Sequence, residues 1–176
     1  MFKLKYTLIA VVLVLVINFT ITIVSGDTYV ASVTETIDCS QKSLWNHLLN
    51  VKDKHLFRSE IDTVIVHKRL PGGYKKWEER HKNDVYMIYQ HDTIIRFSEI
   101  KFTLLESSKN VTGKWKYELA PIDALHCQLT ITDEGKIDGF FNQWMLTLLG
   151  KDFFVKRDLS TVKEIVEKSN AKKIVK

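Results

Sequence analysis

Residues 113–132, GKWKYELAPIDALHCQLTIT, read as two strands and the turn that joins them. Residues 112–120 alternate cleanly, with Trp115, Tyr117 and Leu119 on one face and Lys114, Lys116 and Glu118 on the other. Successive side chains of a strand point to opposite faces, so one face meets a core and the other meets water. Residues 121–124 form the turn, and Cys127, Leu129 and Ile131 share a face of the next strand, 127–132. Working upstream, 93–106 reads as one long strand with a bulge, because its alternation changes phase between Arg96 and Glu99. Before it, 85–91 (VYMIYQH), 74–81 (YKKWEERH) and 62–70 (DTVIVHKRL) read as strands, separated by turns at 82–84 and 71–73.

The segment 28–39, rich in Val and Thr, reads as the first strand. Ser40, or alternatively Ser43, caps a helix that carries Leu44, Trp45, Leu48 and Leu49, and 53–57 reads as a second short helix or a turn. Downstream, Phe141, Met145, Leu148, Val155, Leu159, Val162 and Val166 keep a rhythm of three and four residues, as a helix requires, with Gly150 breaking or bending it. Residues 171–176 are a short basic tail, expected to fray. No repeat and no linker divides the chain.

The N-terminus is different. No charged residue lies between Lys5 and Asp27, and residues 8–24 read LIAVVLVLVINFTITIV. About 19 such residues at 1.5 Å rise cover roughly 28 Å, close to the hydrocarbon thickness of a bilayer. Lys3 and Lys5 precede the run, which favours an N-terminus left in the cytoplasm and a remainder on the far side. Two readings stay open: an uncleaved signal anchor that uses the whole run, and a signal peptide cleaved near Val24-Ser25-Gly26. The first places the C-terminal part on a membrane, extracytoplasmic; the second makes it secreted or periplasmic. Asn18 inside the run is a candidate helix contact. The division expected is 1–26 for this segment, 27–170 for a domain and 171–176 for the tail.

The chain has 176 residues, 45% hydrophobic and 27% charged, with 2 prolines, 7 glycines and 2 cysteines. That excludes collagen-like, disordered and disulfide-dense classes. The net charge is +5; without Lys3 and Lys5 the rest carries 24 basic and 21 acidic residues, or +3. Basic pairs such as Lys75-Lys76 stand among Glu78, Glu79 and Asp84, so no basic stripe points to nucleic acid. No phosphate loop, nucleophile elbow or HExxH motif is present, and the six histidines are scattered, so neither a metal nor a cofactor is expected. Asn110-Val111-Thr112 is a glycosylation sequon in an expected turn.

The order is strand, short helices, six strands and a long helix, and it resembles the START-like (SRPBCC) superfamily, which includes polyketide cyclase and dehydrase-like proteins. The likeness is carried by VTETIDCSQKSLWNHLLNVKDKHLF with Trp45 in its helix, by GKWKYELAPIDALHCQLTIT as the last strand pair, and by FFVKRDLSTVKEIVE as the closing helix. It covers roughly residues 30–167. Phe57 stands where the family often has Trp, and Leu125-His126 where it has Gly-Thr. The resemblance implies an α+β helix-grip fold: a curved seven-stranded antiparallel sheet wrapped on the C-terminal helix, here preceded by one transmembrane helix. Between sheet and helix such families hold an apolar cavity for lipids, sterols, polyketides or similar molecules, and only some members are enzymes.

On that basis Trp77, Tyr89, Phe97, Trp115, Tyr117 and Met145 are candidate cavity residues, beside their plain role as core. Arg96 would orient a polar head, unless a bulge turns it and Glu99 to solvent. His81 and His91 flank a hairpin and would serve as acid and base if they faced the cavity. The fold also pairs its first and last strands antiparallel, which would bring Cys39 near Cys127 for a disulfide. The function expected is a membrane-tethered binder of a hydrophobic small molecule or lipid; a cyclase or dehydratase, or an interaction module without a cavity, are the alternatives.

Overall fold

A computed structural model describes residues 2–174 apart from 57, 70 and 110. The Phe57 position and the Asn110 sequon therefore lie outside the described residues, as do 175–176 of the tail and the side chain of Asn18. Seven strands form one antiparallel sheet in the order β1-β7-β6-β5-β4-β3-β2. They are β1 (Thr28–Ile37), β2 (Ile61–Arg69), β3 (Lys75–His81), β4 (Tyr86–Ile95), β5 (Glu99–Ser107), β6 (Val111–Pro121) and β7 (Cys127–Ile137). Four α-helices accompany them: α1 (Phe2–Ser25), α2 (Gln41–Leu49), α3 (Phe140–Leu149) and α4 (Phe153–Ile174). A curved sheet with α4 against it is the helix-grip arrangement of START-like proteins.

The apolar alternation explains the layers. Leu129 and Ile131 of β7 and Leu119 of β6 are buried on the inner face, where they meet Val155, Leu159, Val162 and Val166 of α4. Each such side chain contributes roughly 1.5–3 kcal/mol by leaving water. Ser40 caps α2, its Oγ accepting the N–H of Ser43 at 3.3 Å, and α2 buries Leu44 and Trp45. A 3-10 helix at Val51–Leu56 follows, where a short helix or turn was expected.

Two details of the middle strands differ from expectation, and they exchange places. The phase change at Arg96–Glu99 is a hairpin turn rather than a bulge: Phe97 has φ 63 and Ser98 N–H donates to the Ile95 carbonyl at 2.9 Å. The interruption expected between 91 and 93 is instead a bulge inside β4, where the register shifts between His91 and Thr93. Phe97 is held in its left-handed conformation by contact with α2. Its ring lies edge-on to Trp45 at 5.8 Å, and its carbonyl accepts from Gln41 Nε2 at 2.7 Å.

The C-terminal rhythm belongs to two helices. Gly150 (φ 91) ends α3, its N–H bonding the Leu146 carbonyl at 2.9 Å. α4 continues to Ile174, so the tail expected to fray from 171 is helical that far. The strand pairing implied for the cysteines is present, since Ile37 faces Cys127 across β1 and β7. The disulfide is not present: Cys39 lies two residues beyond that pair, and both side chains are buried.

α1 is 24 residues long, as the apolar run leads one to expect. Among the described residues no helix is long and apolar enough to cross a membrane, and several side chains of α1 lie outside that description. The span expected for 1–26 is thus a proposal rather than a finding.

Two glycines shape the end of the sheet near α3. Gly113 and Gly135 face each other across β6 and β7, with the rings of Trp115 and Tyr29 laid over them. A Cβ at Gly135 would stand 2.5 Å from the Tyr29 ring, which is buried. Gly135→Ala should therefore displace Tyr29 and cost about 1–3 kcal/mol in urea denaturation; unchanged stability would mean that the ring moves freely.

Candidate functional site

Between the inner face of the sheet and α4 lies a cavity of about 280 Å³. One wall is apolar, built from Tyr89, Phe102, Leu104 and Trp115 at the centre and Val111, Ile137 and Phe154 toward one end. The aromatic members pack on each other: Phe102 stacks on Trp115 at 5.4 Å and Tyr89 meets Trp115 edge-on at 5.6 Å.

The other wall is charged. Trp77 and Glu79 stand two apart on β3 and so share its inner face, which buries the Glu79 carboxylate completely. Oε1 of Glu79 accepts from Lys54 Nζ at 2.9 Å and from Trp77 Nε1 at 3.1 Å. Arg58 lies 3.8 Å from Oε2, reaches Asp158 of α4 at 3.7 Å and donates to Glu60 at 2.8 Å. The Lys54 ammonium also sits over the rings of Trp77, Tyr89 and Phe102, 5.3 to 5.6 Å from their centres, which supplies cation–π attraction. Arg157 completes the set, 3.7 Å from Glu60 and above the Phe154 ring.

Burial works against each of these charges, and the partners decide the outcome. Burial would raise the Glu79 carboxyl, but Lys54 and Arg58 outweigh it and hold it below its ordinary value. Burial would lower Arg58; Asp158, Glu79 and Glu60 outweigh it and raise it. Tyr89 and Tyr117 are pushed well above the ordinary phenol value by burial and nearby carboxylates, so both stay neutral. Behind the cavity Tyr29 donates to Asp133 at 3.0 Å. Asp133 is fully buried and, among the described residues, has no ion-pair partner; burial pushes its carboxyl up to about 7, against the Tyr29 hydrogen bond and the Arg157 charge.

Among the described residues, Glu79 Oε2, His81 Nε2, Asp133 Oδ1 and Arg157 Nε are buried with no hydrogen-bond partner. His81 and Arg157 line the cavity directly, and Asp133 and Glu79 are bonded to the lining residues Tyr29 and Lys54. A buried polar atom without a partner costs about 1–3 kcal/mol, and two of the four belong to residues that line the cavity, His81 and Arg157.

Of the candidate residues, Tyr89 and Trp115 line the cavity. Trp77 and Tyr117 stand behind it in the aromatic core, stacked on Tyr89 at 5.3 Å and edge-on to Phe102 at 5.3 Å. Phe97 and Arg96 sit together on the β4–β5 turn, the guanidinium 4.8 Å from the ring, away from the cavity. Met145 is exposed on α3 and does not line it either. The histidine pair separates: His81 lines the cavity, whereas His91 is buried beside Trp77 with Nδ1 accepting the Lys75 N–H at 3.1 Å. Burial, with Lys75 and Lys54 nearby, lowers His91 to about 4.

The charged wall was missed, yet the sequence held its signals. Glu79 keeps the parity of Trp77, and Asp133 keeps that of Leu129 and Ile131. Asp158 falls on the helical stripe of Val155, Leu159 and Val162. Arg58, beyond any regular element, had no such mark.

By sequence, the chain matches no protein-family model and no curated protein. By structure it has many neighbours. A START superfamily protein from Mycobacterium smegmatis superposes with TM-score 0.65 at 12% identity, covering 79% of this chain and 97% of that one. The Zhui aromatase/cyclase from Streptomyces sp. R1128 gives 0.68 at 15% identity, covering 80% and 94%. Norcoclaurine synthase from Thalictrum, a point mutant with a transition-state analogue, gives 0.59 at 10%, covering 81% and 96%. The structural neighbours are thus START/SRPBCC proteins, and at these identities the likeness is one of fold.

Two measurements probe the charged wall. Arg58→Met leaves Glu79 and Asp158 facing each other without their shared cation, and should cost about 3–5 kcal/mol. Adding Glu79→Gln should recover part of that in a double-mutant cycle; additive losses would show the two side chains to be independent.

Asp133 gives a pH signature. Unfolded, it titrates near about 3.9; folded, it keeps its proton up to about 7. Between those values the folded state binds more protons, so this group makes stability fall as pH rises. His91 acts oppositely, because its folded value is the lower one. Asp133→Asn removes only the first effect, so its stability should gain on that of the natural protein from about pH 4 to about pH 7. A difference that stays constant with pH would refute the raised Asp133.

Proposed function

We propose that the chain is a membrane-tethered binding protein whose cavity holds a small molecule with an apolar body and an uncharged, hydrogen-bonding head. The observation that carries this reading is the cavity itself, with an aromatic and aliphatic wall on one side and Lys54, Arg58, His81 and Arg157 on the other. Its volume of about 280 Å³ falls at the small end of sites for organic ligands, roughly 300–1,000 Å³. The charges around it balance, with Lys54, Arg58 and Arg157 against Glu60, Glu79 and Asp158. A head bearing hydroxyl or carbonyl groups can pair with such a wall, whereas an ion would leave one side uncompensated.

The tether is supported by α1, 24 residues long, whose described side chains from Val11 to Ile17 are apolar and exposed. Lys3 and Lys5 ahead of it favour a domain on the extracytoplasmic side. A tether would raise the local concentration of any ligand that partitions into lipid. Cleavage near residue 26 would instead release the domain as a secreted or periplasmic form of the same binder.

A second reading, a cyclase or dehydratase acting on a hydrophobic substrate, draws on His81, which lines the cavity, and on Asp133, which meets it only through the Tyr29 hydroxyl. Burial lowers the first, which keeps it a neutral base, and raises the second, which keeps it an acid into the neutral range.

Native mass spectrometry of the full chain from mild detergent tests the proposal. A co-purifying apolar adduct is expected, and Val111→Trp, which fills the cavity end, should lose it. Bare protein in repeated preparations would overturn the binding reading. Release of a molecule of changed mass, abolished by His81→Ala, would move the assignment to an enzyme.

A further inference from the structure

We propose that α3 lies in the surface of a lipid bilayer beside α1 and seats the rim of the cavity against the lipid. The inference rests on the tether proposed above. α3 reads FFNQWMLTLL; it carries no charge and none of its ten residues is buried. Phe140, Phe141, Met145, Leu148 and Leu149 are all exposed. A helix of a water-soluble domain hides its apolar stripe, and exposed apolar patches of this kind mark interaction surfaces.

Three observations say what covers it. First, α3 packs on α1, with Phe19 and Phe140 in ring contact at 4.6 Å. Phe19 lies in the last third of α1, near the domain. The exposed apolar surfaces of the two helices are therefore continuous, and whatever solvates the end of α1 meets α3 as well.

Second, the roots of the two helices are fastened together. Lys136 binds Asp27, which follows α1, at 3.0 Å and Asp138, which precedes α3, at 3.3 Å. The Ile137 N–H also donates to the Asp27 carbonyl at 2.9 Å. If α1 is a span, α3 is thereby held at the level of the headgroups. Its ten residues, about 15 Å long, are too short to cross but suited to lie in the interface, with Trp144 at the polar boundary.

Third, the cavity reaches the same place. Tyr29 follows α1, Ile137 precedes α3 and Phe154 follows it, and all three line the cavity. A ligand dissolved in the bilayer would thus enter beside α3 with little exposure to water.

Fluorescence quenching tests this on the full chain in phosphatidylcholine vesicles with brominated acyl chains. The natural protein should be quenched, and Trp144→Phe should lose most of that quenching, at low and high salt alike because α3 is uncharged. A separate Val14→Trp variant reports on α1. Quenching of Val14→Trp with none due to Trp144 would overturn the α3 proposal and leave the tether standing. Quenching at neither position would overturn both. If Trp144 were shielded from acrylamide but untouched by bromolipid, and the chains cross-linked as dimers, a second copy would be the occupant and the proposal would fail.

Discussion

The guanidinium of Arg58 joins the sheet to the long helix at the floor of the cavity. It comes from the irregular segment between the 3-10 helix and β2, and it meets Glu79 of β3, Glu60 ahead of β2 and Asp158 of α4 at once. Apolar contact between α4 and the inner face of the sheet holds the two layers together. Beside the cavity a buried cation with carboxylates on both layers adds a polar tie. Such a cluster adds little net stability over an apolar replacement, since desolvation offsets attraction, but breaking it from one side is costly. Its contribution is geometric: it ties sheet to helix beside the gap that forms the cavity.

That gap has two chemically distinct walls. The aromatic wall depends on two glycines, because only at Gly113 and Gly135 can the rings of Trp115 and Tyr29 lie flat over the backbone. Tyr29 then reaches Asp133 and bonds a carboxyl deep in the fold. The charged wall satisfies most of its own members and leaves a few atoms unmatched. A site of this composition selects by shape on one side and by hydrogen bonding on the other, which is the usual division of labour in a small-molecule pocket.

Much of the fold was legible because its signals are local. The alternation of Trp115, Tyr117 and Leu119, the cap at Ser40 and the rhythm from Val155 to Val166 each specify an element within a few residues. The exchange of bulge and turn in the middle strands has an equally clear cause. A phase change in alternation is produced both by a bulge and by a two-strand turn, and the turn at Phe97 contains neither glycine nor proline to announce it. It is stabilised by α2, more than fifty residues earlier in the chain. The cysteines show the same limit, since strand order put their neighbourhoods together while Asp38 and Cys39 lie beyond the end of β1.

The sequence by itself determined which faces are apolar, how many strands there are, where the closing helix runs and that the N-terminal segment is unlike the rest. It even held the parity that sends Glu79, Asp133 and Asp158 inward. Only the tertiary structure decided what those carboxylates meet. Arg58 comes from an irregular stretch and Lys54 from a short 3-10 helix, neither with a periodicity that encodes its direction, and the side chains left without partners are defined by everything packed around them. Periodicity fixes which way a side chain points; the partner it finds there depends on segments brought together by folding.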